Sequence, residues 1–150
     1  MTVDDLNKQA AGLVFQRFDE TDAVALGGVL LGIAAAQNLP VVINIRTPNR
    51  TLFHAALPGS AGLNDLWAKR KSNTALLFQE ASLLVGTRHR DKGESLAKHG
   101  LDEADYADHG GAVPICVAGV GVVACVTVSG LPQLEDHALV VRGIESYLAG

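Results

Sequence analysis

Three side chains with chemical uses fall on one face of a segment near the middle of the chain. In Asn64-Asp-Leu-Trp67-Ala-Lys69-Arg70-Lys71, the residues Asn64, Trp67 and Lys71 recur at i, i+3 and i+7, the spacing of a single helical face. Leu63, Leu66 and Leu77 form a neighbouring apolar face, which reads as the buried one, so the polar row flanks it. Two readings stay open. A helix edge with a snorkelling lysine accounts for the pattern. So does an anion-binding wall in which Lys71 or Arg70 meets a carboxylate or phosphate.

A second set lies nearer the end of the chain. Ser129, Asp136 and His137 are the residue types of a hydrolase triad. Neighbours on a helix point about 100° apart, so Asp136 is badly placed to orient His137. No Gly-x-Ser-x-Gly elbow surrounds Ser129. His137 shares a face with Val141, Ile144 and Leu148 and so points inward. It is either a core histidine held by a hydrogen bond, or a ligand or acid/base at a pocket floor. Asp136 is well placed for a helix N-terminus in either case.

His54, within Leu52-Phe53-His54-Ala55, could join His137 in a metal or haem site, but two histidines without a fixed spacing make no metal motif. His89, His99 and His109 lie in a polar stretch and read as solvated. Gly119-Val-Gly121-Val-Val-Ala124 matches the dinucleotide fingerprint as text. That fingerprint must open a helix. Here Cys125-Val-Thr-Val128 follows and favours a strand.

The elements that must position these residues are legible from periodicity and caps. Thr2, with Asp5 three residues on, predicts a short first helix. Leu13 to Phe18 alternates as a strand, and Asp19 to Thr21 opens a helix running to about Gln37. Within it, Gly28-Val-Leu-Leu-Gly32 predicts close packing on a sheet or a partner helix. Residues 40–47 and 51–57 read as a hairpin about Pro48-Asn49-Arg50. A helix then runs from Gly62 or Asn64 to about Gln79, followed by a polar surface excursion over 86–111 with a short helix near Leu96. Residues 112–118 and 122–129 make a second hairpin, and Pro132 opens the final helix to about Leu148. Strands that come in hairpins predict an α+β domain, an antiparallel sheet flanked by helices, formed by residues 1–150 as one unit.

Composition bounds the function classes. The net charge is −4 and no Lys/Arg run exceeds three residues, which argues against nucleic acid. The longest apolar run, Ala23 to Ala36, is too short to cross a bilayer. The acidic start Met1-Thr-Val-Asp-Asp5 has no signal-peptide pattern, so the expectation is a cytoplasmic protein. Cys116 and Cys125 then read as two buried thiols in a reducing setting, a cross-strand disulfide being the alternative.

Ser129-Gly-Leu-Pro-Gln-Leu-Glu-Asp136-His137-Ala-Leu-Val-Val141 resembles the closing signature of the haem-degrading-domain family, and more specifically of its 0303 subgroup. The segments Asn64 to Lys71 and Tyr106-Ala-Asp-His-Gly110-Gly111-Ala-Val-Pro114-Ile115 resemble the same subgroup in order along the chain. The resemblance implies a profilin-like domain, commonly assembled into homo-oligomers, some of whose relatives bind haem. Taken with the residues, it predicts a homo-oligomeric protein for a small anionic ligand: a carboxylate, a phosphate or haem. Its pocket would be lined by Asn64, Trp67, Arg70, Lys71, Asp136 and His137. Two alternatives stand beside it. One is an enzyme with His137 as acid/base and Lys71 or Arg70 as anion stabiliser. The other is an assembly or adaptor protein without a small-molecule site. Few aromatics are present to sandwich a porphyrin, and there is no Cys-x-x-Cys-His.

Overall fold

The computed structural model describes residues 1–150. The chain runs α1 (Val3–Ala11), β1 (Val14–Phe15), α2 (Glu20–Ala36), β2 (Val42–Arg46), β3 (Thr51–Ala56), α3 (Gly62–Phe78), α4 (Ser82–Lys92), a 3-10 turn (Leu96–His99), β4 (Ala112–Val117), β5 (Gly121–Ser129) and α5 (Gln133–Ala149). The predicted caps are in place. Thr2 Oγ1 accepts from Asp5 N at 3.1 Å while the Asp5 carboxylate accepts from Thr2 N at 2.9 Å. Asp19 and Asp22 repeat the arrangement at the start of α2, so these two helices each open with a reciprocal cap on their free N–H groups.

The five strands form one sheet in the order β1-β4-β5-β2-β3. Both predicted hairpins are present, and β5 lies at the centre, paired with β4 on one side and β2 on the other. The α+β class is borne out, with one correction: the sheet is mixed, because β1 runs parallel to β4 through Val14↔Cys116 and Phe15↔Val117. The predicted strand over 13–18 shrinks to two residues. Past Phe15 the chain leaves the sheet edge, and Phe18 packs edge-on against Phe15 at 5.5 Å.

The sheet separates two helical layers. Ala124, Val126 and Val128 of β5 join Ile43 and Ile45 of β2 in the main core, with Leu26 and Leu30 of α2 and Val140 and Ile144 of α5. The alternate residues face α3: Cys125 packs with Ala75, and Thr127 Oγ1 meets Ser72 Oγ at 2.7 Å. This period-2 division places the two ends of the candidate site on opposite sides of β5.

Four sequence expectations change. The buried face of α3 is Ala68, Lys71, Ser72, Thr74 and Ala75, while Leu63, Leu66 and Leu77 stand 65%, 60% and 54% exposed. Small and polar residues pack close to a twisted central strand, and leucines at those positions would hold the helix away. The polar excursion is partly helical, since α4 covers 82–92 and buries Leu83, Leu84, Val85 and His89. Gly86 sits inside that helix because any Cβ there would run into the Asp108 carbonyl. Gly28 and Gly32 face open space, whereas Gly27 lies against the Phe53 ring. The two thiols are free, as expected, but only Cys125 is buried and Cys116 is half-buried; Cys116 opposes Val122 and Cys125 opposes Pro114, so they do not face each other across the hairpin.

Helices α2 and α5 touch closely where Gly143 meets Leu30, with no room for a Cβ. Gly143→Val should therefore destabilise the fold by about 1–3 kcal/mol, the usual range for overpacking. Urea unfolding followed by circular dichroism measures it, and an unchanged midpoint would mean the two helices can separate freely.

Candidate functional site

Lys71 projects from the buried face of α3 toward the start of α5 and is 2% exposed. Its ammonium has three N–H donors, and all three have acceptors. Nζ donates to Val128 O at 2.7 Å, to Gly110 O at 3.0 Å and to Asp136 Oδ2 at 3.1 Å. Asp136, also 2% exposed, accepts in addition from Leu131 N at 2.9 Å and Gly130 N at 3.4 Å. Burial pushes the lysine below its ordinary range, against the pull of Asp136. Burial likewise raises the Asp136 carboxyl, against Lys71 and the two backbone N–H groups.

One glycine makes room for the pair and a second lets the neighbouring backbone segments meet. A Cβ on Gly111 (φ +136°) would strike Lys71 Nζ and the Val128 carbonyl, and one on Gly130 (φ +148°) would strike the Pro40 carbonyl. Both φ values also lie where side chains are disfavoured.

Above the pair opens a cleft of about 220 Å³ lined by Asn64, Trp67, Lys71, His109, Gly110, Ser129, Gly130, Leu131, Gln133 and Asp136. Its rim is rich in donors. Asn64 Oδ1 accepts from Ala61 N at 2.9 Å, and Gln133 Oε1 accepts from Gly110 N at 2.9 Å. Because backbone N–H groups claim both amide oxygens, each side chain is left with its NH₂. The Ser129 hydroxyl and the exposed His109 imidazole complete the set, with His109 edge-on to Trp67 at 5.0 Å.

The expected site residues divide. Asn64, Trp67, Lys71 and Asp136 come together in this cleft. Arg70 lies around the helix, its guanidinium stacked over Trp67 at 4.4 Å, in a neighbouring groove with Asn73, Glu103 and Asp105. His137 is 2% exposed and opens on another face, in an apolar groove of about 380 Å³ between α1, α4 and β4. Its Nε2 donates to Gln9 Oε1 at 2.6 Å, and its Nδ1 is enclosed without a partner. His54 is held by Asp65 at 3.0 Å and Asn44 at 3.0 Å, so it does not join His137. Adjacent positions on a helix face different ways, which parts His137 from Asp136 as the sequence predicted. An acid/base at His137 acting with Lys71 or Arg70 is not assembled.

Sequence reasoning passed over His109 and Gln133. The signal for His109 was its place in the family-like segment Tyr106 to Ile115. His109 is indeed exposed, but it stands at the cleft, and His89 is buried at 3% instead of solvated.

A three-layer α+β protein with a polar cleft at the β5–α5 turn is what fold and site define. A family model described as haem degrading protein HbpS-like matches residues 18–145, and the chain belongs to that family. It is 50% identical over 148 residues to a UPF0303 protein of Streptomyces coelicolor, covering 98% of this chain and 94% of the relative. The solved Ybr137w protein superposes with a TM-score of 0.92 at 32% identity, over 100% of this chain and 90% of that one. The fold is shared more distantly with a PduOC:haem complex, with a TM-score of 0.72 at 17% identity over 86% and 94% of the two chains. No helix is long and apolar enough to cross a membrane.

Two measurements check this site. Lys71→Met should cost about 3–5 kcal/mol, the range for breaking a buried pair. The double variant Lys71→Met/Asp136→Asn should lose less than the two single losses combined; simple additivity in urea unfolding would mean the groups are not coupled. The second concerns His137, which burial lowers from 6.5 to about 4. The unfolded chain takes up this proton near pH 6.5 and the folded chain only near pH 4. Stability from this group is thus complete above the upper value and lost as pH falls through that window, by roughly 3 kcal/mol. His137→Gln should flatten that part of the stability–pH curve.

Proposed function

We propose that the protein binds a small anion, a carboxylate or phosphate group, in the cleft between α3 and the β5–α5 turn. The observation that carries this reading is a rim with several side-chain donors to spare. Asn64 and Gln133 have their oxygens tied to backbone and their NH₂ groups left over. Ser129 and His109 stand beside them. Donors left over in this way suit an oxyanion. Lys71 lies beneath, its charge offset by Asp136 and with no donor free to touch the ligand. A buried charge pair is costly compared with apolar packing, and one placed at the floor of an open cleft favours function over bulk stability.

Haem is the ligand that the family description brings to this chain. The residues do not fit a porphyrin as folded. The Lys71 cleft is smaller than the roughly 300–1,000 Å³ usual for larger ligands. The apolar groove beside His137 is broader, but neither imidazole nitrogen is free: one holds Gln9 and the other is enclosed.

Self-association in a reducing, cytoplasmic setting belongs to the same reading. The exposed Leu63, Leu66 and Leu77 on one side of α3 are apolar surface that a second copy would cover.

Trp67 is the only tryptophan and lines the cleft, so it reports on occupancy directly. Titration with inorganic phosphate, acetate and oxalate should change its fluorescence and raise the melting temperature for at least one of them. Ser129→Ala should weaken that binding about tenfold or more, as loss of a hydrogen bond to a charged group does. No response to any of the three anions would overturn the proposal. In parallel, hemin should give no Soret shift dependent on His137; a shift lost in His137→Ala would favour haem instead.

A further inference from the structure

We propose that the outer edge of β3 and the adjoining outer face of α2 form a two-fold contact between two copies of this chain. The proposal rests on the self-association read above and gives it a surface in the helical layer opposite the α3 leucines. Two independent observations meet there.

The first is the sheet edge. The sheet ends on β1 at one side and on β3 at the other. β1 is two residues long, and so short an edge offers little to another strand. β3 is six residues, Thr51-Leu-Phe-His-Ala-Ala56, with no lysine, proline or acid to blunt it. Leu57 N donates to Val41 O, which sets the phase of pairing with β2. Ala55 and Phe53 therefore bond to Ile43 and Ile45, and the backbone N–H and C=O groups of His54 and Ala56 point away from the sheet. Both residues are exposed, and no loop or side chain accepts from either N–H. The bulge opposite Ile45 and Arg46 lies at the turn end, away from these groups.

The second is α2. From Ala23 to Ala36 it carries no polar side chain. A helix that is apolar all round belongs inside a structure. Yet Val24 is 57% exposed, with Gly28, Gly32 and Ala35 exposed on the same side. Above Gly28 and Gly32 the space is open, so a second helix can approach closely.

The two surfaces are continuous. Gly27 of α2 lies against the Phe53 ring of β3. Leu31 and Ala35 line an apolar groove of about 400 Å³ together with Ala56, Leu57 and Pro58. A two-fold axis beside Ala55 sets His54 of each copy against Ala56 of the other. Every outward N–H and C=O of the pair then finds a partner, the two sheets join, and the two α2 faces meet. Such an axis places each element near its own copy, so an unpaired charge there would face its like. The facing stretches carry none: Glu20 and Arg50 hold each other at 3.3 Å beyond them, and His54 is held by Asp65. An α2 of 17 residues beside a β3 of six makes a wall of roughly 500 Å² on each copy, about the 1,000 Å² in total that a specific interface needs.

Two measurements on the full chain test the contact. Light scattering after size-exclusion chromatography should show a wild-type oligomer, and a mass halved or lower for Gly28→Arg and for Ala56→Lys. Both changes fall at open positions, and circular dichroism checks that the fold is kept. Hydrogen exchange followed by NMR should show the His54 and Ala56 amides protected about tenfold or more in wild type relative to Gly28→Arg. Leu66→Lys, on the α3 patch, should leave those two amides protected. A wild-type oligomer whose His54 and Ala56 amides exchange as fast as an open edge would overturn this contact and leave self-association standing. So would an oligomer that both Gly28→Arg and Ala56→Lys leave intact. A monomeric wild type would overturn both readings.

Discussion

Lys71 and Asp136 lie 65 positions apart in sequence and 3.1 Å apart in space, and each is only 2% exposed. Charges buried this deeply are tolerated only when every donor and acceptor is met. That requirement reaches through much of the molecule. It calls for the Gly110 and Val128 carbonyls to converge on one ammonium, and for the Gly130 and Leu131 N–H groups to converge on one carboxylate. It needs glycine at positions 111 and 130, where a side chain would occupy the space of the pair or of the backbone beside it. It also turns the polar side of α3 inward, so that the Ser72–Thr127 contact lies under the same helix.

The cleft draws its chemistry from this arrangement at one remove. The lysine is spent on protein acceptors and paired with Asp136, so it orders the floor of the cleft without serving as a ligand contact. What a ligand meets is the rim, where the Asn64 and Gln133 amide oxygens are engaged by backbone N–H groups. The same hydrogen bonds that order the start of α3 and the loop before β4 decide which polar groups remain. Structural bonding and ligand preference are therefore one set of contacts, and the site is organised before anything binds.

Two histidines, His89 and His137, are buried at 3% and 2%, and their surroundings differ in kind. His137 has one amide partner and an apolar groove, which favour the neutral ring. His89 has a carboxylate on one side and a second imidazole on the other. Residue type alone does not distinguish these. The neighbours do, because an imidazole is donor, acceptor or ligand according to what its other nitrogen touches.

Much of the fold was legible from local signals. Capping residues at Thr2 and Asp19 act within three residues, and the two hairpins follow from turn residues and β-branched runs. The inward direction of His137 followed from the helical period. The family-like segments also marked the stretches of chain that meet at the cleft. Other features depend on contacts that no local period encodes. The face of α3 that is buried depends on how closely the central strand lets a helix approach, and there small and polar side chains displaced the leucines. The helix over 82–92 depends on Gly86 fitting under the Asp108 carbonyl, and His109 reached the cleft because that loop closes over α3. The sequence determined the elements and the residue types available to a site. Tertiary packing decided which of them share a cavity, because burial and hydrogen-bond satisfaction are settled between segments distant in the chain.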